Sequence, residues 1–205
     1  VSAVSTGDKT TVDFMTQGRT YQMTLGFVGT HYVSDALGAL AVVLAAGGDL
    51  EQAIKTLETQ SPAAGRGAVS SVIFAGHHIN LIDDAYNANP SSMAASVRAL
   101  GLRRGGRKIV VLGDMLELGD LGPKLHADMA PVLNKAGVDR VYLAGELMTH
   151  LWADVPADKQ GAHTRTPEEL LPILARDLQD GDFVLVKASH GAGLYRLIQM
   201  MKGNK

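Results

Sequence analysis

Three stretches of this sequence carry polar side chains of the kinds that bind charged ligands, and each stretch follows a short apolar segment. The first is Asp83–Pro90, with two adjacent aspartates, a tyrosine and two asparagines. The second is Gly113–Gly119, with an aspartate and a glutamate, and the third is Lys187–Gly191, with a lysine, a serine and a histidine. If the fold brings these stretches together, their carboxylates, carboxamides and lysine form a polar binding site.

The apolar segments themselves have the pattern of a parallel β-sheet. Four runs are short and nearly continuous, as expected for strands that are buried on both faces: Ile79–Ile82, Ile109–Leu112, Val141–Ala144 and Phe183–Val186. Strands that alternate with helices form an open α/β sheet, and the ligands of such sheets bind beyond the carboxyl ends of the strands. Because the three polar stretches lie at those ends, we predict that they meet at one edge of the sheet.

Helices are predicted between these strands. One begins at Asn89-Pro90 and ends at Gly101, since proline is favoured at the first position of a helix. A second covers Leu125–Ala136, where apolar residues recur at helical spacing. A third opens at Thr166-Pro167, where Glu169 completes a capping-box pattern.

The beginning of the chain has a different pattern. Period-two alternation over Thr11–Phe27 predicts a β-hairpin that turns near Gly18. A helix over Ser34–Ala46 follows, and Asp49 is predicted to cap a second one. The breaker-rich stretch Ser61–Gly65 indicates a domain boundary. We therefore divide the chain into residues 1–61 and residues 62–205.

Composition excludes several classes of function. The net charge of −2 gives no electrostatic basis for binding nucleic acid or an anionic membrane, and no apolar run approaches the roughly 18 residues of a membrane span. The absence of cysteine excludes thiolate metal sites, and His77-His78 has no spaced partner ligands, so no metal site is predicted.

The first residues include neither an initiating Met nor a basic signal-peptide region, which suggests a chain that begins inside a domain.

Each candidate residue also has a purely structural interpretation. Asn89 suits a helix N-cap, and Asp83 and Asp84 suit a turn that closes a strand. Lys187 suits the solvated end of a strand, and the glycines near Gly191 are too few for a phosphate-binding fingerprint. Residue types alone give an α/β domain with a polar crevice and leave its ligand open.

Taken together, the motifs resemble those of the Mur ligase family. Asp83–Ser92 resembles the Asp-Asp-x-Tyr-Asn-Ala-Asn-Pro signature of the Mur ligases that attach D-Ala-D-Ala, and Leu112–Gly119 resembles their Gly-Asp-Met-x-Glu-Leu-Gly segment. Val184–Ser189 is similar to their Val-Lys-Gly-Ser segment, although alanine replaces the glycine. Gly65–Gly67 falls where the family carries Gly-Arg after an interdomain linker, and Gly29–Leu37 resembles a helix start at the end of the central domain.

The resemblance implies the C-terminal part of a three-domain ligase. In such ligases an N-terminal domain holds the UDP-sugar and a central α/β ATPase domain holds ATP through a P-loop. A Rossmann-like C-terminal domain, an open and mainly parallel sheet with helices on both faces, closes over the site. Residues 1–61 are then the tail of the central domain and residues 62–205 the C-terminal domain. The P-loop pattern does not occur in these 205 residues, so we expect the chain alone to be inactive.

The implied reaction is the final cytoplasmic step of peptidoglycan precursor synthesis. ATP, with Mg²⁺ held outside this chain, phosphorylates the carboxylate of UDP-N-acetylmuramoyl-tripeptide. The amine of D-Ala-D-Ala then attacks the acyl phosphate, and phosphate leaves. Domain closure suits this chemistry because cations stabilise the transferred phosphoryl oxygens and because excluded water cannot hydrolyse the acyl phosphate. We expect a cytoplasmic, monomeric enzyme.

Four residues are implied to bind ATP. By the resemblance, Arg66 approaches the phosphates, Asp84 hydrogen-bonds the ribose, and the helix start that includes His31 and Asp35 lies near the adenine. The family's paired asparagines in that helix start are Tyr32 and Asp35 here. An ionised aspartate accepts but does not donate hydrogen bonds, which puts the adenine contact of that asparagine in question.

The resemblance also implies residues that face the other substrates. Those expected on the side of the incoming dipeptide and the peptide stem are Asn87, Asn89, Asp114 and Lys187. Arg66 and Lys187 are the two catalytic candidates.

Two other interpretations remain open at this point. The sibling ligase that adds the third residue of the stem peptide normally carries an Asp-Asn-Pro-Arg motif, which this sequence lacks. The other is a non-catalytic nucleotide-binding or interaction module, which the absence of a P-loop favours. An upstream reading frame that encodes a P-loop would discriminate between the module and the ligase.

Overall fold

The computed structural model describes residues 1–6 and 8–203. These residues divide into two compact units, one on each side of the junction between Pro62 and Ala63. The two units are described separately.

The N-terminal unit is a three-stranded antiparallel sheet with two helices. The strands are β1 (Ser2–Thr6), β2 (Lys9–Thr16) and β3 (Arg19–Leu25), and the helices are α1 (Thr30–Ala45) and α2 (Leu50–Glu58). The predicted hairpin is confirmed as the β2–β3 pair. Strand β1 was not predicted, because its residues are mostly exposed and have no apolar alternation.

The core of this unit forms on one face of the sheet. Val12 and Met23, which are opposite each other in the β2–β3 register, pack with Leu40 of α1 and Ile54 of α2. Asp49 caps α2 as predicted, because its carboxylate accepts a hydrogen bond of 3.0 Å from the amide of Gln52.

The C-terminal unit contains a six-stranded sheet in the order β4-β5-β9-β6-β7-β8. All neighbouring pairs are parallel except β4–β5, which is antiparallel. The strands are β4 (Ala68–Phe74), β5 (His77–Asp83), β6 (Lys108–Gly113), β7 (Arg140–Ala144), β8 (Gln160–Thr164) and β9 (Phe183–Lys187). The four predicted strands are confirmed as β5, β6, β7 and β9.

In the described part of the chain the C-terminal unit has six helices, of which five lie between strands and the last follows β9. They are α3 (Pro90–Gly101), α4 (Gly122–Ala127), α5 (Ala130–Lys135), α6 (Met148–Trp152), α7 (Leu171–Asp177) and α8 (Leu194–Met201). Short 3₁₀ turns at Gly119–Leu121, Glu168–Leu170 and His190–Ala192 precede α4, α7 and α8.

Two helix predictions need correction. A continuous helix over Leu125–Ala136 is wrong, because α4 and α5 are separate helices. Pro131 has no amide to donate to the carbonyl of Ala127, so the helical ladder is interrupted there. The predicted capping box at Thr166 is present only in its Glu169 half, where the carboxylate accepts from the Thr166 amide at 3.3 Å.

Helices cover both faces of the six-stranded sheet. On one face, Leu112 and Leu143 pack in a cluster that includes Val97 of α3 and Leu133 of α5. On the other face, alternate strand residues such as Val111 and Val186 pack with α7 and α8. This two-sided burial explains why the central strands are continuous apolar runs. No helix among the described residues is long and apolar enough to cross a membrane.

Candidate functional site at the carboxyl ends of the strands

An open groove lies where β5, β6 and β9 end. It has a volume of about 590 Å³ and is formed by the three polar stretches that the sequence singles out. We call it the strand-end groove, and the residues that line it are Tyr86, Asn87, Ala88, Asn89, Leu116, Glu117, Leu118, Ser189, His190 and Gly191. The predicted meeting of the stretches at one sheet edge is confirmed.

Lys187 lies beneath this edge with its side chain almost wholly buried. Its Nζ is 2.8 Å from Oδ2 of Asp84, 3.0 Å from the carbonyl oxygen of Asn87 and 3.4 Å from that of Asp84. An ammonium group has three protons to donate, and here three protein oxygens accept them. Lys187 is therefore not a solvated strand end. It joins the end of β9 to the loop that follows β5.

Asp84 is the ionic partner in this pair and is also mostly buried. Its Oδ2 accepts a hydrogen bond from the hydroxyl of Ser96 in α3 as well as the contact from Lys187. Oδ1 of Asp84 has no hydrogen-bond partner among the residues that the structure describes. The carboxylate is thus held in one orientation with one oxygen available to a ligand.

Ser189 connects all three strand ends. Its hydroxyl donates to the carbonyl oxygen of Ala88 at 3.2 Å and accepts from the amide of Leu116 at 2.9 Å. Its own amide donates to the carbonyl oxygen of Asp114 at 3.1 Å. The side chain is buried, so these hydrogen bonds fix the loops after β5 and β6 relative to β9.

The loop after β6 has further anchors. His126 is fully buried, accepts a hydrogen bond from the amide of Met115 at Nε2 (2.9 Å) and contacts the carbonyl oxygen of Gly122 at Nδ1 (2.6 Å). Oδ1 of Asp114 accepts from the amide of Met148, at the start of α6, at 3.0 Å. Asp114, a predicted substrate contact, therefore caps a helix and does not line the groove.

The two asparagines of the groove use their carbonyl oxygens within the backbone. Oδ1 of Asn89 accepts from the amide of Ser92, and the hydroxyl of Ser92 accepts from the amide of Asn89, so the N-cap interpretation is confirmed. Oδ1 of Asn87 accepts from the amide of Ala88 at 2.8 Å. Both side chains are exposed in the groove, and their NH₂ groups remain as potential donors.

Arg66 lies over an aromatic ring beside the groove. Its guanidinium carbon is 4.2 Å from the centroid of Tyr86, and the backbone amide of Tyr86 donates to Gly65 at 3.1 Å. A Cβ on Gly65 would approach Cβ of Tyr86 to 3.0 Å, so a larger residue there would push the two segments apart. His190, which also lines the groove, stacks on the ring of Tyr195 with 4.8 Å between ring centroids.

The remaining predicted ATP contacts belong to the N-terminal unit. His31 is the second residue of α1, and its ring contacts that of Tyr32 in a tilted arrangement with 4.0 Å between ring centroids. Asp35 is exposed on the same helix. Across residues 1–6 and 8–203, His, Asp and Glu side chains do not form a group of three that could hold a metal ion.

Comparison with known proteins decides the family. The family model described as "Mur ligase, glutamate ligase domain" matches residues 70–190, which is more than half of the 205 residues. The chain belongs to the Mur ligase family. The matched segment of this Mur ligase chain contains every residue that lines the strand-end groove except Gly191.

Several of the similar proteins are D-Ala-D-Ala-adding ligases. The UDP-N-acetylmuramoyl-tripeptide–D-alanyl-D-alanine ligase of Mycobacterium tuberculosis is 33% identical over 195 residues, covering 84% of this chain and 38% of the relative. A crystal structure of MurF from Acinetobacter baumannii matches with a TM-score of 0.83 and 30% identity, covering 96% of this chain and 43% of that one. A structure of MurF ligase from Thermotoga maritima in complex with ADP has the same TM-score at 24% identity and shares the fold. The Mur ligase chain described here thus spans about two fifths of the length of these relatives.

The sequence does not single out three residues that the structure of this Mur ligase chain places in or behind the strand-end groove. Ser189 stands out in the sequence only as part of a motif, and His126 has no signal there because its partners are backbone groups of the preceding loop. Glu117 was part of a recognised motif, and its exposed position in the groove was not predicted. A carboxylate in a stretch that follows a buried strand is the signal that identifies Glu117 from sequence.

Proposed function

We propose that this chain is the C-terminal part of an ATP-dependent ligase that joins D-Ala-D-Ala to UDP-N-acetylmuramoyl-tripeptide. The principal support is the strand-end groove, whose walls are the motifs that resemble the signatures of the D-Ala-D-Ala-adding ligases, and the relatives that match the chain include such ligases. The reaction forms an acyl phosphate and then an amide. Residues 1–61 serve as the tail of the central domain and residues 62–205 as the closing domain of a cytoplasmic monomer.

ATP has suitable partners in this chain. The guanidinium of Arg66, held over the ring of Tyr86, is a cation that would meet the phosphate oxygens when the domains close. Oδ1 of Asp84 is an acceptor that suits a ribose hydroxyl, since Oδ2 is already held by Lys187 and Ser96. His31 and Asp35 remain proposed adenine contacts on α1. Mg²⁺ would bind ligands outside this chain.

Lys187 is proposed here as a positioning residue. Its three protons are directed at protein oxygens, so it acts by orienting Asp84 and the loop that carries Asn87. Asp114 likewise acts by position, because its carboxylate holds the loop after β6 to the start of α6. The proposed contacts with the incoming dipeptide and the peptide stem are then Asn87 and Asn89, whose NH₂ groups suit a substrate carboxylate.

Substrate-omission kinetics on the complete gene product test this function. With ATP, UDP-N-acetylmuramoyl-tripeptide and D-Ala-D-Ala present, phosphate release should match the formation of pentapeptide product measured by mass spectrometry. Omission of any one substrate should reduce both to background. Phosphate release without amide formation would favour a nucleotide hydrolase, and the absence of both phosphate release and amide formation would favour a binding module.

A further inference from the structure

We infer that the carboxylate of Glu117 binds a substrate ammonium group in the strand-end groove, an inference that rests on the proposed function. Glu117 is exposed and lines the groove. Among the lining residues, all of which the structure describes, it alone carries a carboxylate, and none of them is a lysine or an arginine. The fixed negative charge of this groove therefore comes from one side chain.

The backbone at Glu117 has a left-handed conformation outside any hairpin turn. Three non-glycine residues have positive φ in the described part of the chain: Gln17, Ala75 and Glu117. Gln17 and Ala75 lie in two-residue hairpin turns, where positive φ matches the twist of the strands. Glu117 has φ +63° in a loop after a parallel strand, and strain of this kind is characteristic of ligand-binding sites.

The neighbours of Glu117 keep this strained loop in place. The amides of Met115 and Leu116, just before it, are held by the side chains of His126 and Ser189, both at 2.9 Å. A Cβ on Gly191 would meet Cδ1 of Leu116 at 2.9 Å, so the loop also packs closely on the segment after β9. The carboxylate of Glu117 has no ion pair or hydrogen bond with any described residue and is available to a ligand.

The charges in the groove are complementary to a zwitterion. Glu117 supplies an anion for an ammonium group, while the NH₂ groups of Asn87 and Asn89 supply donors for a carboxylate. D-Ala-D-Ala carries both groups, and its ammonium is the precursor of the attacking amine. A stem peptide whose third residue has a side-chain amine offers the same ammonium chemistry, so the experiment must distinguish the two sources.

Glu117→Gln in the complete protein tests this inference, because it removes the charge and keeps the shape. Charge-assisted hydrogen bonds of this kind correspond to about 10- to 100-fold in affinity. We expect KM for D-Ala-D-Ala to rise by that factor, with KM for ATP unchanged. If KM for a lysine-containing UDP-N-acetylmuramoyl-tripeptide rises instead, the ammonium is that of the stem. Asp120→Asn, at an exposed carboxylate outside the groove, is the matched control and should leave every KM within about twofold.

An unchanged KM for both substrates in Glu117→Gln overturns the inference and leaves the proposed function intact. If the wild-type protein forms no amide, the proposed function fails, and NMR titration of this chain decides the role of Glu117. The probes are D-Ala-D-Ala and its N-acetyl derivative, which lacks the ammonium group. A preference of at least about tenfold for the free amine, lost in Glu117→Gln, supports the site. Equal binding of both probes, or no binding, overturns it.

Discussion

Replacing Lys187 with methionine should destabilise the C-terminal unit far more than the same change at an exposed lysine. The side chains of the Lys187–Asp84 pair are only 4% and 14% exposed. Removing one member of a buried pair typically costs about 3–5 kcal/mol, because the other charge is left without compensation. Asp84 keeps the Ser96 hydroxyl as a partner, so we expect a loss near the lower limit, about 3 kcal/mol.

Lys124→Met is the matched control. The Lys124–Asp128 pair has an N–O distance of 2.5 Å, but its side chains are 72% and 52% exposed. Exposed pairs spaced four residues apart on a helix contribute about 0.3–0.5 kcal/mol, so this change should have little effect. The two ion pairs have similar N–O distances and differ mainly in burial, so the difference between the two losses measures the effect of burial.

Urea unfolding followed by tryptophan fluorescence measures both losses. Trp152, the only tryptophan of the chain, lies in α6 and reports on the C-terminal unit. In a double-mutant cycle, Asp84→Asn and Lys187→Met should not be additive, because each removes the same interaction. A Lys187→Met loss no larger than that of Lys124→Met would refute the assignment of Lys187 as a buried positioning residue.

Three further predictions concern other parts of the molecule. Ser189→Ala should cost about 1–3 kcal/mol in the same urea assay, because it removes the partner of the buried Ala88 carbonyl and of the partly buried Leu116 amide. Ser91→Ala on an exposed helix position should stay within about 0.5 kcal/mol, and equal effects of the two changes would contradict the linking role of Ser189. Arg66→Ala in the complete enzyme should lower kcat by about 10²–10³ with a smaller change in the KM for ATP, if the cation meets phosphoryl charge after closure; wild-type kcat would exclude this role. Burial, reinforced by the charge of Asp177, raises the pKa of Tyr142 to about 12. The Tyr142 hydroxyl therefore stays protonated in the folded state at pH values above about 10, where it ionises in the unfolded chain. Stability of the unit should therefore fall by about 2–3 kcal/mol between pH 10 and pH 12 and not in Tyr142→Phe, and an equal fall in both proteins would show that other groups are responsible.

The sheet was predictable where local sequence and burial agree. Strands β6 and β9 are covered by helices on both faces, and this leaves continuous apolar runs such as Ile109–Leu112. Strand β8 (Gln160–Thr164) was not predicted, since it lies at the edge, pairs only with β7 and consists of half-buried residues without apolar alternation. Edge strands are specified by their neighbours more than by their own composition.

The candidate site was predictable in position and less so in detail. Parallel topology brings the ends of β5, β6 and β9 together, so the polar stretches meet. The role of each side chain depends on contacts between distant segments. The hydrogen bonds of Lys187 to Asn87 and of Ser189 to Ala88 span 100 and 101 residues. Burial of Lys187 follows from those contacts and has no local signature in Phe183–Lys187.

Amide formation by the complete gene product tests the central claim most directly. The complete protein is incubated with ATP, UDP-N-acetylmuramoyl-tripeptide and D-Ala-D-Ala, and the nucleotide-linked peptide is identified by mass spectrometry. We predict a pentapeptide product in amounts equal to the phosphate released, and no product when D-Ala-D-Ala is replaced by a single diamino acid. Product that forms with the diamino acid on a dipeptide acceptor, and not with D-Ala-D-Ala, would contradict the account.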